Sequence, residues 1–240
     1  MRSSRWESVR VGFNRQIFRG MLFSMGATAI AMDRLGVPKP VVWSFAKLQA
    51  RNLCRALGVM VTVQGAELVE RGGPFIFTPN HQSHIDIAAL LGFLPGNNRF
   101  AAKKELFREP VLGTAMRTLG MLPVDRDDPM QSIEVLNRAV AERNSVIIFP
   151  EGTRSPDGEL LPFKKGAFVA AIHMKFPVVP VVVKGTRRVM PKGKYLSVYP
   201  GPIEIVIKPP IPTQGLDYDD RDRLRDAVRE IIAEEFSRDS

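Results

Sequence analysis

The stretch Asn80-His81-Gln82-Ser83-His84-Ile85-Asp86 sets a histidine and an aspartate five positions apart, where an apolar strand pattern gives way to a helical one. A carboxylate at that offset can fold back and accept a hydrogen bond from one imidazole nitrogen. The tautomer is then fixed, and the other nitrogen becomes a base able to take a proton from an alcohol. This is the His-Asp half of a triad without its serine. The chain contains no Gly-x-Ser-x-Gly elbow, and its single cysteine, Cys54, lies in a basic N-terminal segment. The reacting hydroxyl is therefore expected on a substrate, not on the protein. By spacing alone, the same two residues serve equally well as a helix cap and a surface group. A metal site built on His81, His84 and Asp86 is short of ligands, since only His173 and the lone Cys54 remain elsewhere. No metal is expected.

A second ionisable cluster, Pro150-Glu151-Gly152-Thr153-Arg154-Ser155, directly follows the apolar run Val146-Ile147-Ile148-Phe149. Both clusters sit at strand exits, where open α/β sheets collect their chemistry. The periodicity supports such a sheet. Val59, Val61 and Val63 alternate. Phe75-Ile76-Phe77-Thr78-Pro79, Phe100-Ala101-Ala102, Met121-Leu122-Pro123-Val124, and residues 178–183 and 203–207 supply further strands. Helical patterns fall at residues 85–91, 128–142 (capped by Asp127 or Asp128, with Pro129 first) and 167–173. The last, at 217–240, carries Leu224, Val228, Ile231, Ile232 and Phe236 on one face. The expected fold is α/β, a mixed central sheet with flanking helices, preceded by a helical N-terminal segment. The expected division is 1–60 as a membrane-binding segment and 61–240 as the α/β domain.

The charge distribution motivates that division. The chain has 240 residues and a formal net charge of +9, yet residues 1–60 hold ten basic and two acidic side chains. The remainder is nearly neutral. With 45% hydrophobic and 25% charged residues, wholesale disorder and a polytopic membrane bundle are excluded. The lone cysteine excludes an internal disulfide. In the first quarter the cations interleave with aliphatic bulk, and no nucleic-acid-binding signature appears, so no nucleic-acid partner is expected. The uncharged run 20–32 would rise about 20 Å as a helix, against roughly 30 Å of bilayer core. A segment lying in an anionic leaflet fits better, with Trp6, Phe13, Phe18, Phe23 and Trp43 available to the interface. Rival readings are a secretory signal ahead of Ala27-Thr28-Ala29 and a pair of core helices.

The two clusters, taken with Gly120-Met121-Leu122-Pro123-Val124-Asp125-Arg126 and Val179-Pro180-Val181, resemble in order the four sequence blocks of the glycerolipid acyltransferases. Within these they are most similar to the PlsC-type 1-acylglycerol-3-phosphate O-acyltransferases, over roughly residues 61–213. The resemblance implies that His81 is a general base oriented by Asp86. It also implies acyl transfer, without an acyl-enzyme, from a coenzyme A or acyl carrier protein thioester to lysophosphatidic acid. No cofactor is implied beyond that co-substrate. Arg126 and Arg154 match the family's basic positions and suit a phosphate. Glu151 and Gly152 match its glycerol-binding positions, and Thr153 offers a hydroxyl to the same acceptor. Lys103 and Lys104, at another strand exit, are added from the residues themselves as phosphate candidates, with a solvated face as the alternative. The implied location is the cytoplasmic face of the inner membrane or its equivalent, by monotopic attachment. Another lysolipid acceptor, such as lyso-ornithine lipid, and a non-catalytic lipid-binding scaffold remain as alternatives.

Overall fold

The computed structural model describes residues 2–70, 72–125, 134–137, 142, 144–194 and 196–238, with the backbone alone for residues 2–9. Two long helices come first, α1 (Arg2–Arg34) and α2 (Lys39–Ala56). There follow β1 (Val59–Gln64), α3 (Glu67–Glu70), β2 (Ile76–Pro79), α4 (Ile85–Phe93) and β3 (Asn98–Lys103). A 3-10 turn (Lys104–Arg108) leads to α5 (Pro110–Thr118), β4 (Leu122–Val124) and β5 (Ser145–Ile147). The chain closes with α6 (Gly166–Met174), β6 (Val178–Lys184), α7 (Thr186–Val189), β7 (Gly201–Ile207), a 3-10 turn (Tyr218–Asp220) and α8 (Arg221–Ser237). Residues 134–137 are helical, as expected for part of 128–142; residues 126–133 and 138–141 lie outside the described residues.

The seven strands run in the order β1-β7-β6-β2-β5-β3-β4, with every pairing parallel except β6 with β7. The sheet is mixed, as its sequence pattern suggested. Because β7 and β1 are reversed, their first residues lie at the same end of the sheet as the last residues of β6, β2, β5, β3 and β4. That end collects Asn80 and His81 after β2, the loop after β5, α5 after β3, and the segment preceding β7.

Alternation divides the core into two layers. Phe77, Ile147, Val179, Val181 and Val183 face α2 and α4, while Ile76, Val146, Val178 and Val182 face α6 and α8. With helices on both sides, β2 is buried at every position, and so is β6 up to Lys184. On α8, Leu224, Val228 and Ile232 carry the burial at helical spacing.

α2 buries Val42, Trp43, Ala46, Ala50, Leu53 and Cys54 along one stripe. It crosses α4 at Gly92, where a Cβ would meet Arg51 Cγ and its backbone N at 3.2 Å. Two cations cap the end of α4. Lys47 Nζ donates to Leu94 O at 3.1 Å and Gly96 O at 3.0 Å, and Arg51 Nε donates to Gly92 O at 2.6 Å. Burial, then the Arg51 charge, lowers the Lys47 pKa.

The sequence reading placed Phe18 and Trp43 at a membrane interface, and the structure corrects both. Each is buried, and the Arg99 guanidinium lies 4.3 Å from the Trp43 ring centroid. Phe13 and Phe23 are exposed. The basic leader and the apolar run 20–32 form one continuous helix of 33 residues. Among the described residues no helix is long and apolar enough to cross a membrane. α1 is fastened at one end by Asn14 Nδ2, which donates to Val198 O at 3.0 Å and Leu57 O at 3.4 Å.

Candidate active site

The chain leaves β2 at Pro79 and must pass from strand to helix within five residues. Asn80 makes the exit rigid. Its Nδ2 donates to Val183 O at 3.1 Å and its Oδ1 accepts from Val183 N at 2.7 Å, so a side chain continues the β6 pairing where the backbone turns away. His81 follows, half-buried. Its Nδ1 lies 2.8 Å from Asp86 Oδ2, on the first turn of α4.

Asp86 is fully buried, and the same Oδ2 accepts the backbone N–H groups of Gln82 at 2.8 Å and Ser83 at 2.9 Å. Those two bonds fix the position of the carboxylate oxygen that faces the ring. With Oδ2 accepting from the ring at Nδ1, Nε2 is the nitrogen left to meet another group. The imidazole stacks on Phe149, with centroids 4.0 Å apart and planes at 22°. Phe149 belongs to the loop, not to the strand the sequence suggested. β5 ends at Ile147, one further ladder bond joins Ile148 N to Phe77 O at 2.9 Å, and the chain then turns.

The loop after β5 grips the main chain of His81. Glu151 Oε1 accepts from His81 N at 2.6 Å, and Ser155 N donates to His81 O at 2.9 Å. The other oxygen, Glu151 Oε2, accepts from Leu161 N at 3.0 Å. Glu151 is only 2% exposed, and burial raises its pKa to about 7 against the pull of both backbone bonds. Both of its oxygens point inward to backbone donors, a purpose the block pattern did not reveal. Gly152 follows with φ 69°, and its N–H closes a turn onto Phe149 O at 3.0 Å.

Thr153 is exposed, and Arg154 is half-buried with its charge close enough to help lower the pKa of His84, after the larger effect of desolvation. Arg154, Thr153 and His81 thus share one end of the sheet. The basic stretch 187–194 packs here too, with Lys192 Nζ donating to Arg154 O at 2.7 Å and Arg187 Nη1 to Pro156 O at 3.0 Å. Lys165 pairs with Asp222 at 3.0 Å. Lys103 ends β3 and is exposed, whereas Lys104 is engaged by Asp125. Arg126 lies outside the described residues.

The serines nearest the dyad are already committed: Ser83 Oγ donates to Met190 O at 2.6 Å, and Ser155 Oγ to Asp157 Oδ1 at 3.0 Å. Neither stands in the position of a nucleophile on His81. Among the described residues no group of three or more His, Cys, Asp or Glu is disposed to hold a metal ion. The dyad can therefore activate a hydroxyl brought to it, beside an arginine suited to an anion. Phe149, Asn80 and Leu161 are the parts of the site that sequence reasoning left without a role. Asn80 lay inside the first quoted block and Phe149 at the end of the apolar run before the second, while the Leu161 contribution is a main-chain amide and has no side-chain signature.

A sequence model of the family described as Acyltransferase matches residues 60–184. The chain is 39% identical over 179 residues to the chloroplastic 1-acyl-sn-glycerol-3-phosphate acyltransferase BAT2 of Brassica napus, covering 73% of this chain and 50% of that one. It thus spans half the length of that relative. It is 32% identical over 229 residues to 1-acyl-sn-glycerol-3-phosphate acyltransferase alpha of Mus musculus, covering 92% and 79%. The crystal structure of the 1-acyl-sn-glycerophosphate (LPA) acyltransferase PlsC from Thermotoga maritima superposes with a TM-score of 0.76 at 27% identity, covering 95% of both chains.

Proposed function

The chain belongs to the acyltransferase family, and from that premise we propose that it transfers a fatty acyl group from a thioester to the free hydroxyl of 1-acylglycerol 3-phosphate, giving phosphatidic acid. The observation that carries this reading is the 2.8 Å bond from His81 Nδ1 to a buried Asp86, which leaves Nε2 as an oriented base with no hydroxyl partner among the described residues.

His81 Nε2 takes the proton of the acceptor hydroxyl as its oxygen attacks the thioester carbonyl. The imidazolium is stabilised by Asp86. Collapse of the tetrahedral adduct breaks the carbon–sulfur bond, and the leaving thiolate takes the proton back from His81. Ester and free thiol are the products, and no acyl-enzyme is formed. The donor, acyl-CoA or acyl carrier protein, is a co-substrate, and no resident cofactor takes part.

Arg154 binds the acceptor phosphate through its planar fork, with Arg126 as the second cation. Thr153 and the backbone of Gly152 contact the glycerol. Glu151, which matches the family's glycerol-binding position, also holds the His81 backbone. Lys103 supplies long-range attraction for the phosphate, and Lys104 contributes less because Asp125 engages it. The protein works on the cytoplasmic face of a membrane by monotopic attachment.

Titration of lysolipid acceptors against one purified sample, read as free thiol released from acyl-CoA, tests the proposal. The expected result is saturable release with lysophosphatidic acid and much weaker release with lyso-ornithine lipid, which lacks the phosphate. Equal rates would remove the phosphate role from Arg154. No thiol release with any acceptor would leave a lipid-binding scaffold.

A further inference from the structure

Large apolar side chains are exposed in an uneven way. Of the twelve most exposed among the described residues, nine lie in residues 13–48 or 106–112. The second of these stretches was not anticipated from the sequence, and it comprises Leu106, Val111 and Leu112, on the 3-10 turn and the start of α5.

The two stretches meet. α1 and α5 touch where a Cβ on Gly26 would lie 3.4 Å from Ala115 Cβ. Leu22 and Phe23 stand four and three positions before Gly26, and Val111 and Leu112 four and three before Ala115. At those offsets they share the contact face of their helices, within about one turn, or roughly 5 Å, of the crossing. Both helices are also held near the same end of the sheet. α1 is tied at Asn14 to Leu57 and Val198, which precede β1 and β7, and α5 follows the exit of β3. The four side chains therefore lie on the His81 side of the crossing, and Leu106 lies closer still to that end.

We propose that Leu106, Val111 and Leu112 join Leu22 and Phe23 in one surface that enters an anionic bilayer and seats the mouth of the site against it. Two observations select the occupant. The apolar side chains are large and solvated, which water disfavours and an acyl-chain boundary does not. Exposed cations border them, Arg19 on α1 and Lys103 and Arg108 at either end of the 3-10 turn, with the exposed Glu105 and Glu109 between and beside the latter two. The acyltransferase reading explains why a lipid surface belongs there, but the binding is measured without turnover.

The test uses the full chain carrying Val111→Cys, labelled with a polarity-sensitive fluorophore. Labelling is selective because Cys54 is buried and its thiol is pushed up to about 11. On phosphatidylcholine–phosphatidylglycerol vesicles the emission shifts to the blue and nitroxide-labelled lipid quenches it, with a smaller response on phosphatidylcholine alone. A shift that appears without lipid and grows with protein concentration identifies self-association and overturns the proposal, as does protein that pellets with vesicles while the label stays in water. In a second arm, the triple substitution Leu106→Ser, Val111→Ser and Leu112→Ser lowers vesicle partitioning by roughly tenfold or more. Thiol release with a monomeric short-chain acceptor is retained. Unchanged partitioning, or no partitioning by the parent chain, refutes the surface. Failure of thiol release in the parent chain bears only on the catalytic reading.

Discussion

Two regions at the same end of the sheet invert the ordinary rule of burial in opposite senses. Asp86, a carboxylate, is 0% exposed, whereas Phe23, an aromatic hydrocarbon, is 68% exposed. An imidazole and two backbone N–H groups converge on one of its oxygens, while the other is buried without a hydrogen-bond partner among the described residues. The phenylalanine has no such partners inside the protein. The comparison teaches that an exception to burial is either held by partners inside the protein, and then concerns catalysis or rigidity, or left open, and then concerns a second solvent.

The same distinction divides the N-terminal cations. Lys47 and Arg51 are used up on the carbonyls at the end of α4. The formal excess of the first 60 residues thus overstates what is available to a lipid surface. It also makes deletion of that segment a poor probe. Residues 1–57 include Val42, Trp43, Ala46 and Leu53 of the main core, and their loss would unfold the sheet layer they cover.

The contrast is most sharply tested at His81. His81→Ala is expected to lower acyl transfer by about 10²- to 10⁴-fold or more, while thermal stability and vesicle binding change little. Activity at the parent level would remove the base from the mechanism and leave the dyad a structural tie.

Glu151→Gln comes next. An amide keeps one acceptor but turns a donor toward either His81 N or Leu161 N, so the grip on His81 loosens. We expect kcat to fall by roughly ten- to a hundredfold with the acceptor KM nearly constant. A rise in KM at constant kcat would return Glu151 to acceptor binding. The pH dependence is a second readout. The carboxyl is raised from 4.5 to about 7 on folding, so the folded state binds its proton more tightly than the unfolded chain does. Its contribution to stability is full below about pH 4.5 and is lost as pH rises to about 7, by up to about 3 kcal/mol. Denaturant titrations across that window should show this slope in the parent and a flatter one in the variant.

The smallest effect is expected from Phe23→Ser. Stability in solution should be unchanged or slightly raised, and thiol release from a monomeric acceptor unaltered, while vesicle partitioning falls several-fold. A loss of several kcal/mol in unfolding free energy would mean that the side chain is covered by protein.

Much of the scaffold was legible because its signals are local. Alternation of Val and Ile marks the strands whatever they pair with, and helical spacing of Leu224, Val228 and Ile232 marks α8. His81 and Asp86 were legible for the same reason, since only four residues separate them and keep them within reach of one another. The expected cap of the helix near 128 lies outside the described residues, as does Arg126. What stayed hidden was the destination of side chains that act across the sheet. Glu151 could be found as a residue type in a block, but its two backbone partners, at His81 and Leu161, depend on how two loops meet. Phe149 looked like the end of an apolar strand, and only the turn beyond Ile147 put its ring under the imidazole.

By itself, then, the sequence determined the order of strands and helices, the dyad and its tautomer-fixing offset, and the concentration of charge at the N-terminus, because each is set by neighbours in the chain. The tertiary structure alone decided which cations are spent on helix caps, which aromatics are core, what Glu151 holds, and that residues 106–112 reach α1. Those outcomes depend on packing between segments far apart in sequence, where burial and hydrogen-bond partners are fixed only once the layers close.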